Sequence, residues 1–413
     1  MADSYDILMV DDSLTLTRMV SAALADEGLK VATINKSTEV VTWLTNNTAK
    51  LLLIDIMMPE LDGFQLLDRL NELGLSDGKQ VVFISSKLYD VDKEQAFSKG
   101  AVAFIDKNTT FEAVKEAVMA IVNNTIKVTF WGVRGSIPAP AKNSVQYGGN
   151  TSCVEVRLGS GSIIVFDAGT GIRDLGKNLN NQRINSRIHI FLTHQHWDHI
   201  QGFPFFKPAF KPGNKLTLYS GQGIDTQRAI TGQMEQPYFP IPLRTMGARV
   251  DFRNLAEQEY SIDDFKIRAI NLLHPGKTLG YRLIKENKSI AYLTDNELPT
   301  SGRDSNAGEL DLATMDYYHK LIDFCHGVDL LIHDSQYTNE EYQTHRGWGH
   351  STFQAALDLA LDAKVKRFAL YHYDPDRTDD QISEIIQTCQ EIIDRRGAKL
   401  ECLAAAEGLE III

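Results

Sequence analysis

Six consecutive residues, His194-Gln195-His196-Trp197-Asp198-His199, place three imidazoles and a carboxylate directly after the apolar run Ile188-His189-Ile190-Phe191-Leu192-Thr193. Neutral imidazole nitrogens and carboxylate oxygens suit Zn²⁺, Mn²⁺ or Fe²⁺. Four donors in so short a span are more than one open catalytic ion takes once distant ligands join. The spacing therefore predicts two ions side by side, able to clamp a phosphate or hold a bridging hydroxide. A polar loop with several surface histidines is the alternative, and clustering this dense makes it the poorer reading.

Further donors end later apolar runs: His274 in Leu272-Leu273-His274-Pro275-Gly276, Asp295 after Ile290-Ala291-Tyr292-Leu293-Thr294, and His372 after Phe368-Ala369-Leu370-Tyr371. Any one of them alone would more often be an ordinary strand-end residue. Together they have the placement expected of a site on one edge of a β-sandwich. Asp167, in Asp167-Ala168-Gly169-Thr170-Gly171, closes the strand Ser162–Phe166. It is read as a buttress of the metal loop, against a plain turn carboxylate.

The elements that must position a second set of carboxylates lie in the N-terminal third. Apolar runs at 7–10, 51–54, 81–84 and 101–105, with a weaker one at 29–34, alternate with helical spacing at 14–25, 39–45, 63–73, 93–99 and 111–122. Five β/α repeats predict a parallel sheet covered on both sides, with functional groups at the carboxyl ends of its strands. Asp11 and Asp12, then Asp55, Ser85 and Asp106-Lys107 occupy those ends. Three carboxylates at one sheet edge repel unless an ion sits among them, and oxygen-only ligands favour Mg²⁺. Asp55 could then attack a phosphoryl group, with Ser85 and Lys107 binding the phosphate oxygens.

Residues 1–124 resemble a response-regulator receiver domain, through Val10-Asp11-Asp12-Ser13, Asp55-Ile56-Met57-Met58-Pro59-Glu60-Leu61-Asp62-Gly63, Ser85 and Asp106-Lys107. The resemblance implies a flavodoxin-like (βα)5 fold, phosphorylation of Asp55 by a sensor histidine kinase, and Mg²⁺ held by Asp11, Asp12 and Asp55. Ser85 and Phe104 take the switch positions. The family commonly has Pro after the lysine, whereas here Asn108 follows Lys107.

No Pro/Gly-rich or charged linker follows; Val122-Asn123-Asn124-Thr125 leads straight into the alternating strand Ile126–Trp131. So short a junction should couple the two parts mechanically. Residues 125–413 resemble the metallo-β-lactamase fold, an αββα sandwich, and within it the phosphodiesterase and ribonuclease Z-like branch. The resemblance implies that His194, His196 and His274 bind one ion and that Asp198, His199 and His372 bind the other. Asp295 bridges them, and Asp198 also steers the nucleophile. Zinc or manganese is expected, with iron ranked behind. No Cys stands near the bridging position, which argues against lactams. Gly347-Trp348-Gly349-His350-Ser351-Thr352 resembles the branch's His-Ser-Thr element, so His350 is expected as the acid for the leaving alkoxide and Asp334 as its orienting carboxylate. A helix beginning at Phe353 and capped by Ser351 or Thr352 is compatible with that role.

Composition narrows the rest. With 413 residues, 43% hydrophobic and 23% charged, the chain reads as a soluble protein of two or three domains. No apolar run nears the ~20 residues that span a bilayer. Cys153, Cys325, Cys389 and Cys402 are widely spaced, as free thiols in a reducing cytoplasm would be. A net charge of −12 without a basic run disfavours long nucleic acid as substrate. The aromatic segment Gly202–Phe210 and Pro237-Tyr238-Phe239-Pro240 could wall a base-stacking pocket, or could equally be core or dimer packing. The combined expectation is a homodimeric response regulator whose output hydrolyses a small, cyclic-nucleotide-like phosphodiester under control of Asp55. Ribonuclease Z-like RNA cleavage is the alternative. A non-hydrolytic di-iron sensor is a third reading, though such proteins typically have Glu where His196 stands.

Overall fold

The computed structural model describes residues 3–86, 90–181, 187–236, 238–299 and 312–413. Two compact units divide the chain: Met1–Ile126 with Leu158–Ser162, and Lys127–Arg157 with Ile163–Ile413.

In the first unit, strands β1 (Asp3–Val10), β2 (Val31–Ile34), β3 (Asn47–Asp55), β4 (Gln80–Ser85) and β5 (Ala103–Asp106) alternate with helices α1 (Leu14–Asp26), α2 (Val40–Asn46), α3 (Gly63–Glu72), α4 (Asp90–Ser98) and α5 (Phe111–Val122). The sheet is parallel in the order β2-β1-β3-β4-β5. Strand alternation explains why the carboxyl-terminal halves of β1 and β3 are apolar on both faces. Leu8, Val10, Leu52 and Ile54 enter one core with Phe64 and Leu67 of α3, while Ile7, Met9, Leu51 and Leu53 enter another with Val114 and Val118 of α5.

The second unit is a sandwich of two seven-stranded sheets. One contains β6 (Ile126–Gly132), β7 (Cys153–Leu158), β8 (Ile163–Phe166), β9 (Arg187–Phe191), β10 (Lys215–Ser220), β11 (Arg249–Asn254) and the last strand, β19 (Glu410–Ile412). The other runs in chain order through β12 (Glu259–Ile262), β13 (Phe265–Leu272), β14 (Thr278–Lys285), β15 (Lys288–Leu293), β16 (Leu330–Asp334), β17 (Arg367–Tyr371) and β18 (Glu401–Ala404). Between the sheets Phe166 stacks on Tyr292 at 5.0 Å, and the Tyr281 and Tyr371 hydroxyls donate to Leu192 O and Gly132 O, both at 2.7 Å. Opposite side chains of the same strands face outward. Ile163, Val165, Ile188 and Ile190 pack under Ile172, Leu175 and Leu179 of α6 (Ile172–Asn181).

That outer core also takes most of the aromatic segment at 203–210. Phe203 and Phe206 are fully buried there, so the packing alternative holds for them, Phe210 packs against the same core partly buried, and Phe205 is exposed. Pro237 lies outside the described residues, while Tyr238 beside it is exposed. Among the described residues no helix is long and apolar enough to cross a membrane.

Candidate metal centre

The apolar run at 188–193 leaves its sheet two residues earlier than its composition predicts. After Phe191, the Thr193 amide donates to Asp167 Oδ1 at 2.8 Å instead of to a strand neighbour. The turn that follows delivers His194 and His196, and the short helix α7 (Trp197–Ile200) delivers Asp198 and His199. From the facing sheet come His274 after β13, Asp295 after β15, Asp334 at the end of β16 and His372 after β17. The site therefore forms where the carboxyl ends of strands from both sheets meet.

Two sets of donors share one carboxylate. One ligand atom each from His194, His196, His274 and Asp295 lie within 4.8 Å of one another, and so do those of Asp198, His199, Asp295 and His372. Asp295 divides its oxygens between them. Oδ1 faces His194 Nε2 at 3.8 Å and His274 Nε2 at 3.7 Å, whereas Oδ2 faces His199 Nε2 at 3.1 Å and His372 Nε2 at 3.2 Å. Among the described residues, His194 Nε2 and His199 Nε2 are buried with no hydrogen-bond partner. Leaving a buried polar atom unpaired costs about 1–3 kcal/mol. Orphaned nitrogens converging on a two-oxygen carboxylate are what a pair of divalent ions would satisfy, and the donor set suits zinc, manganese or iron.

Strain marks the same residues. Asp167, Asp295 and His372 hold φ of 59°, 56° and 60°, a left-handed conformation that costs non-glycine residues of order 1–3 kcal/mol. It turns each side chain out of its strand toward the centre.

A second layer of bonds orients the imidazoles. Asp167 Oδ2 pairs with His199 Nδ1 at 2.8 Å and also accepts from the Tyr292 hydroxyl at 2.9 Å. His274 Nδ1 donates to Gly349 O at 3.0 Å, and His194 Nδ1 lies 3.0 Å from Thr193 Oγ1. In each case Nε2 is left for the centre. Asp334 Oδ2 bonds to His350 Nδ1 at 2.7 Å and faces His372 Nδ1 at 3.3 Å, so one carboxylate lies against two imidazoles. Thr352 caps α8 (Phe353–Asp362), while Ser351 Oγ bonds to Asn296 O and accepts from Leu298 N.

Electrostatics separate the two donor sets. Burial, with neighbouring imidazoles, pushes His194 well below the usual histidine range and lowers His196 and His274. Burial would do the same to His199 and His372, but carboxylates outweigh it. Asp198 and Asp295 carry His199 well above its ordinary value, and Asp295 with Asp198 and Asp334 raises His372 to about 10. Asp334 is driven up by burial and more strongly down by His350 and His372, to about 2.

Several contributors carry no sequence signal of their own. Ser136 N donates to Asp198 Oδ2 at 2.8 Å. Its loop is held by the fully buried Arg134, whose guanidinium donates to Gly148 O, Asp374 O and Arg377 O at 2.8, 3.1 and 2.6 Å. Glu297 accepts from Gly347 N, Gly349 N and the Tyr342 hydroxyl at 2.8, 2.8 and 2.7 Å, which latches the loop bearing His350. Of these only the Gly347/Gly349 pair, flanking a tryptophan, could have been noticed. His333 is buried beside the site, with Nε2 3.1 Å from Asn296 Nδ2.

In the first unit Asp11 and Asp55 are buried, Asp12 is exposed, and single oxygens of the three lie within 4.8 Å of one another. Lys107 Nζ reaches Asp11 Oδ2 at 2.6 Å and Asp55 Oδ2 at 2.8 Å. Burial raises the Asp55 carboxyl above its usual value despite Lys107. Ser85 is buried at the end of β4, and the Phe104 ring lies under Lys93 Nζ at 5.8 Å. Asn108, where a proline was expected, caps the turn: its amide donates to Asp106 Oδ1 at 2.8 Å and its side chain to Ser86 O.

Comparison with known proteins agrees with both units. Residues 7–119 match the response regulator receiver domain family and residues 163–373 the beta-lactamase superfamily domain. A ribonuclease Z of Haloferax volcanii is 24% identical over 320 residues, covering 67% of this chain and 95% of the relative. A ribonuclease Z of Lactococcus lactis is 25% identical over 267 residues, 53% and 83% respectively. The crystal structure of the metallo-beta-lactamase fold protein YhfI from Bacillus subtilis shares the fold, with a TM-score of 0.50 and 17% identity over 70% of this chain and all of that one.

Proposed function

Because this chain belongs to the beta-lactamase superfamily and carries a response regulator receiver domain ahead of it, we propose that it is a phosphorylation-controlled, metal-dependent phosphodiesterase. The observation that carries the reading is the division of Asp295 between two donor sets, with the His350–Asp334 pair beside both. His194, His196 and His274 would hold one ion and Asp198, His199 and His372 the other, with Asp295 shared. Two such ions supply a Lewis-acid clamp for phosphoryl oxygens and an activated water at neutral pH. The protein's own groups do the remainder. Asp334 stays ionised and keeps the His350 Nδ1 proton directed at itself, which leaves Nε2 to protonate the departing alkoxide. Asp198, held by Ser136 N, is positioned to steer the attacking water. In the receiver domain, Asp11, Asp12 and Asp55 would hold Mg²⁺, Asp55 would accept the phosphoryl group from a kinase, and Lys107 would pair with it.

A small nucleotide phosphodiester, such as a cyclic nucleotide, fits the net charge of −12 better than long RNA does. The ribonuclease Z names of the relatives favour RNA as the second reading. The test is product formation from cyclic mononucleotides, cyclic dinucleotides, bis-aryl phosphodiesters and precursor tRNA, with Zn²⁺ or Mn²⁺. It is run with and without a phosphoryl mimic at Asp55, beside His196→Ala. Metal-dependent turnover of a small nucleotide that responds to the mimic supports the reading; cleavage confined to tRNA moves the function to RNA, and no turnover by metal-loaded protein removes it.

A further inference from the structure

Two tryptophans beside the metal centre take no part in the chemistry proposed above, and both face water. Trp197, between His196 and Asp198, is 68% exposed, and Trp348, next to Gly349, is 59% exposed. A protein ordinarily hides most of an indole, and these two are left open on loops that carry or touch the donor histidines. The residues that carry them converge on one imidazole. His196 Nδ1 lies 3.1 Å from His274 Nε2, and Gly349 O accepts from His274 Nδ1 at 3.0 Å. Each indole is thus one residue from a group in contact with His274. Leu273, itself exposed, adds apolar surface immediately before that histidine.

Trp348 is also presented stiffly. Its ring stands edge-on to His345 at 4.7 Å, and His345 stacks on the buried Tyr337 at 4.7 Å. Gly347 and Gly349 on either side both hold positive φ, and a Cβ on Gly349 would lie 2.1 Å from His274 Nδ1. At Gly349 the loop is pressed against His274. A rigid aromatic loses little conformational freedom when a flat partner lands on it.

We propose that Trp197 and Trp348 form the specificity-determining walls of a subsite for a nucleobase carried by the substrate. The assignment rests on the phosphodiesterase reading for the scissile group, and on the exposed indoles for the base. Every base has a π face, and stacking on an aromatic side chain changes affinity by roughly five-fold to a hundred-fold per base. The buried Phe203 and Phe206 cannot serve in this way, and the exposed Phe205 and Tyr238 are not adjacent in the chain to any of the proposed ligands, as Trp197 is.

The test uses zinc-loaded full-length protein and two pairs of probes. Equilibrium dialysis compares adenosine 5′-monophosphate with ribose 5-phosphate. Turnover compares thymidine 5′-(p-nitrophenyl phosphate) with methyl p-nitrophenyl phosphate, which share a leaving group. Wild type should favour the base-bearing member of each pair ten-fold or more, and Trp197→Ala or Trp348→Ala should reduce that preference at least five-fold, with Phe at either position restoring most of it. Equal preference in wild type and the Ala variants overturns the proposal. So does a change of oligomeric state in the Ala variants, seen by sedimentation, since the indoles would then cover a second copy of the chain. Failure to cleave either ester removes the phosphodiesterase reading alone, because the dialysis ratio still decides the subsite.

Discussion

At the scale of single residues, Asp334 stands at the junction of two candidate site histidines, its Oδ2 facing both His350 and His372. Its folded value of about 2 lies below the ~3.9 of an unfolded aspartate. The stability it contributes is therefore present above the unfolded value and lost only as pH falls through about 2, so it is ionised throughout the working range. His350→Ala and Asp334→Asn are each expected to lower kcat by about 10²–10⁴, and the double variant should fall little further, since the pair acts as a unit. Steady-state kinetics on a p-nitrophenyl diester reads this directly. The raised histidines give a second prediction. His372, at about 10 in the metal-free protein, and His199 contribute stability below the unfolded histidine value of ~6.5 that is lost as pH rises through the folded values. Thermal melts of metal-free protein should accordingly drop between pH 7 and pH 10. Loading must displace the same protons, so zinc affinity, measured by chelator competition, should strengthen from pH 6 to pH 8. A pH-independent affinity would contradict the proposed ligand set.

At the scale of elements, two glycines of the surrounding loops sit hard against candidate ligand imidazoles. A Cβ at Gly135 would approach the His372 ring to 2.6 Å, and one at Gly349 would approach His274 Nδ1 to 2.1 Å with φ already +88°. Gly349→Ala should push His274 from its place and lower the metal content of purified protein from two ions toward one, as elemental analysis would show. Retention of two ions would mean that His274 is not a required ligand. Glu297 is the latch of the same loop, accepting from Gly347 N and Gly349 N at 2.8 Å each. Glu297→Gln keeps its size but cannot accept both bonds as a carboxylate does, so a tenfold or greater loss of kcat with a thermal midpoint within a few degrees of wild type is expected.

At the scale of the whole molecule, a receiver domain joined to a hydrolase makes phosphorylation the expected input. Asp55→Asn should abolish labelling by a small acyl-phosphate donor in Mg²⁺ and remove any effect of that donor on hydrolysis. Magnesium-dependent labelling that persists in the variant would assign the acceptor elsewhere. Chelation followed by dialysis should abolish hydrolysis, and added Zn²⁺ or Mn²⁺ should restore it.

The parallel βα unit was legible in the chain because strand and helix periods are local properties, whereas the αββα sandwich was expected through the resemblance that His194–His199 and the later strand-end donors carry. The donor residues were legible for the same reason: His194, His196, Asp198 and His199 are adjacent in the chain, and Asp11, Asp55, His274, Asp295 and His372 each interrupt or end an apolar run. The folded chain adds the geometry of that expected ligand set, in which the Asp295 oxygens face His194 and His199 from one sheet and His274 and His372 from the other. It also decided which aromatics are free. Phe203 and Trp197 look equally apolar in the sequence, but one packs beneath α6 and the other opens to water beside His196. The bonds of Ser136, Arg134 and Glu297 were invisible beforehand for a physical reason: they join residues from 14 to 243 positions apart, many through backbone groups that carry no side-chain identity.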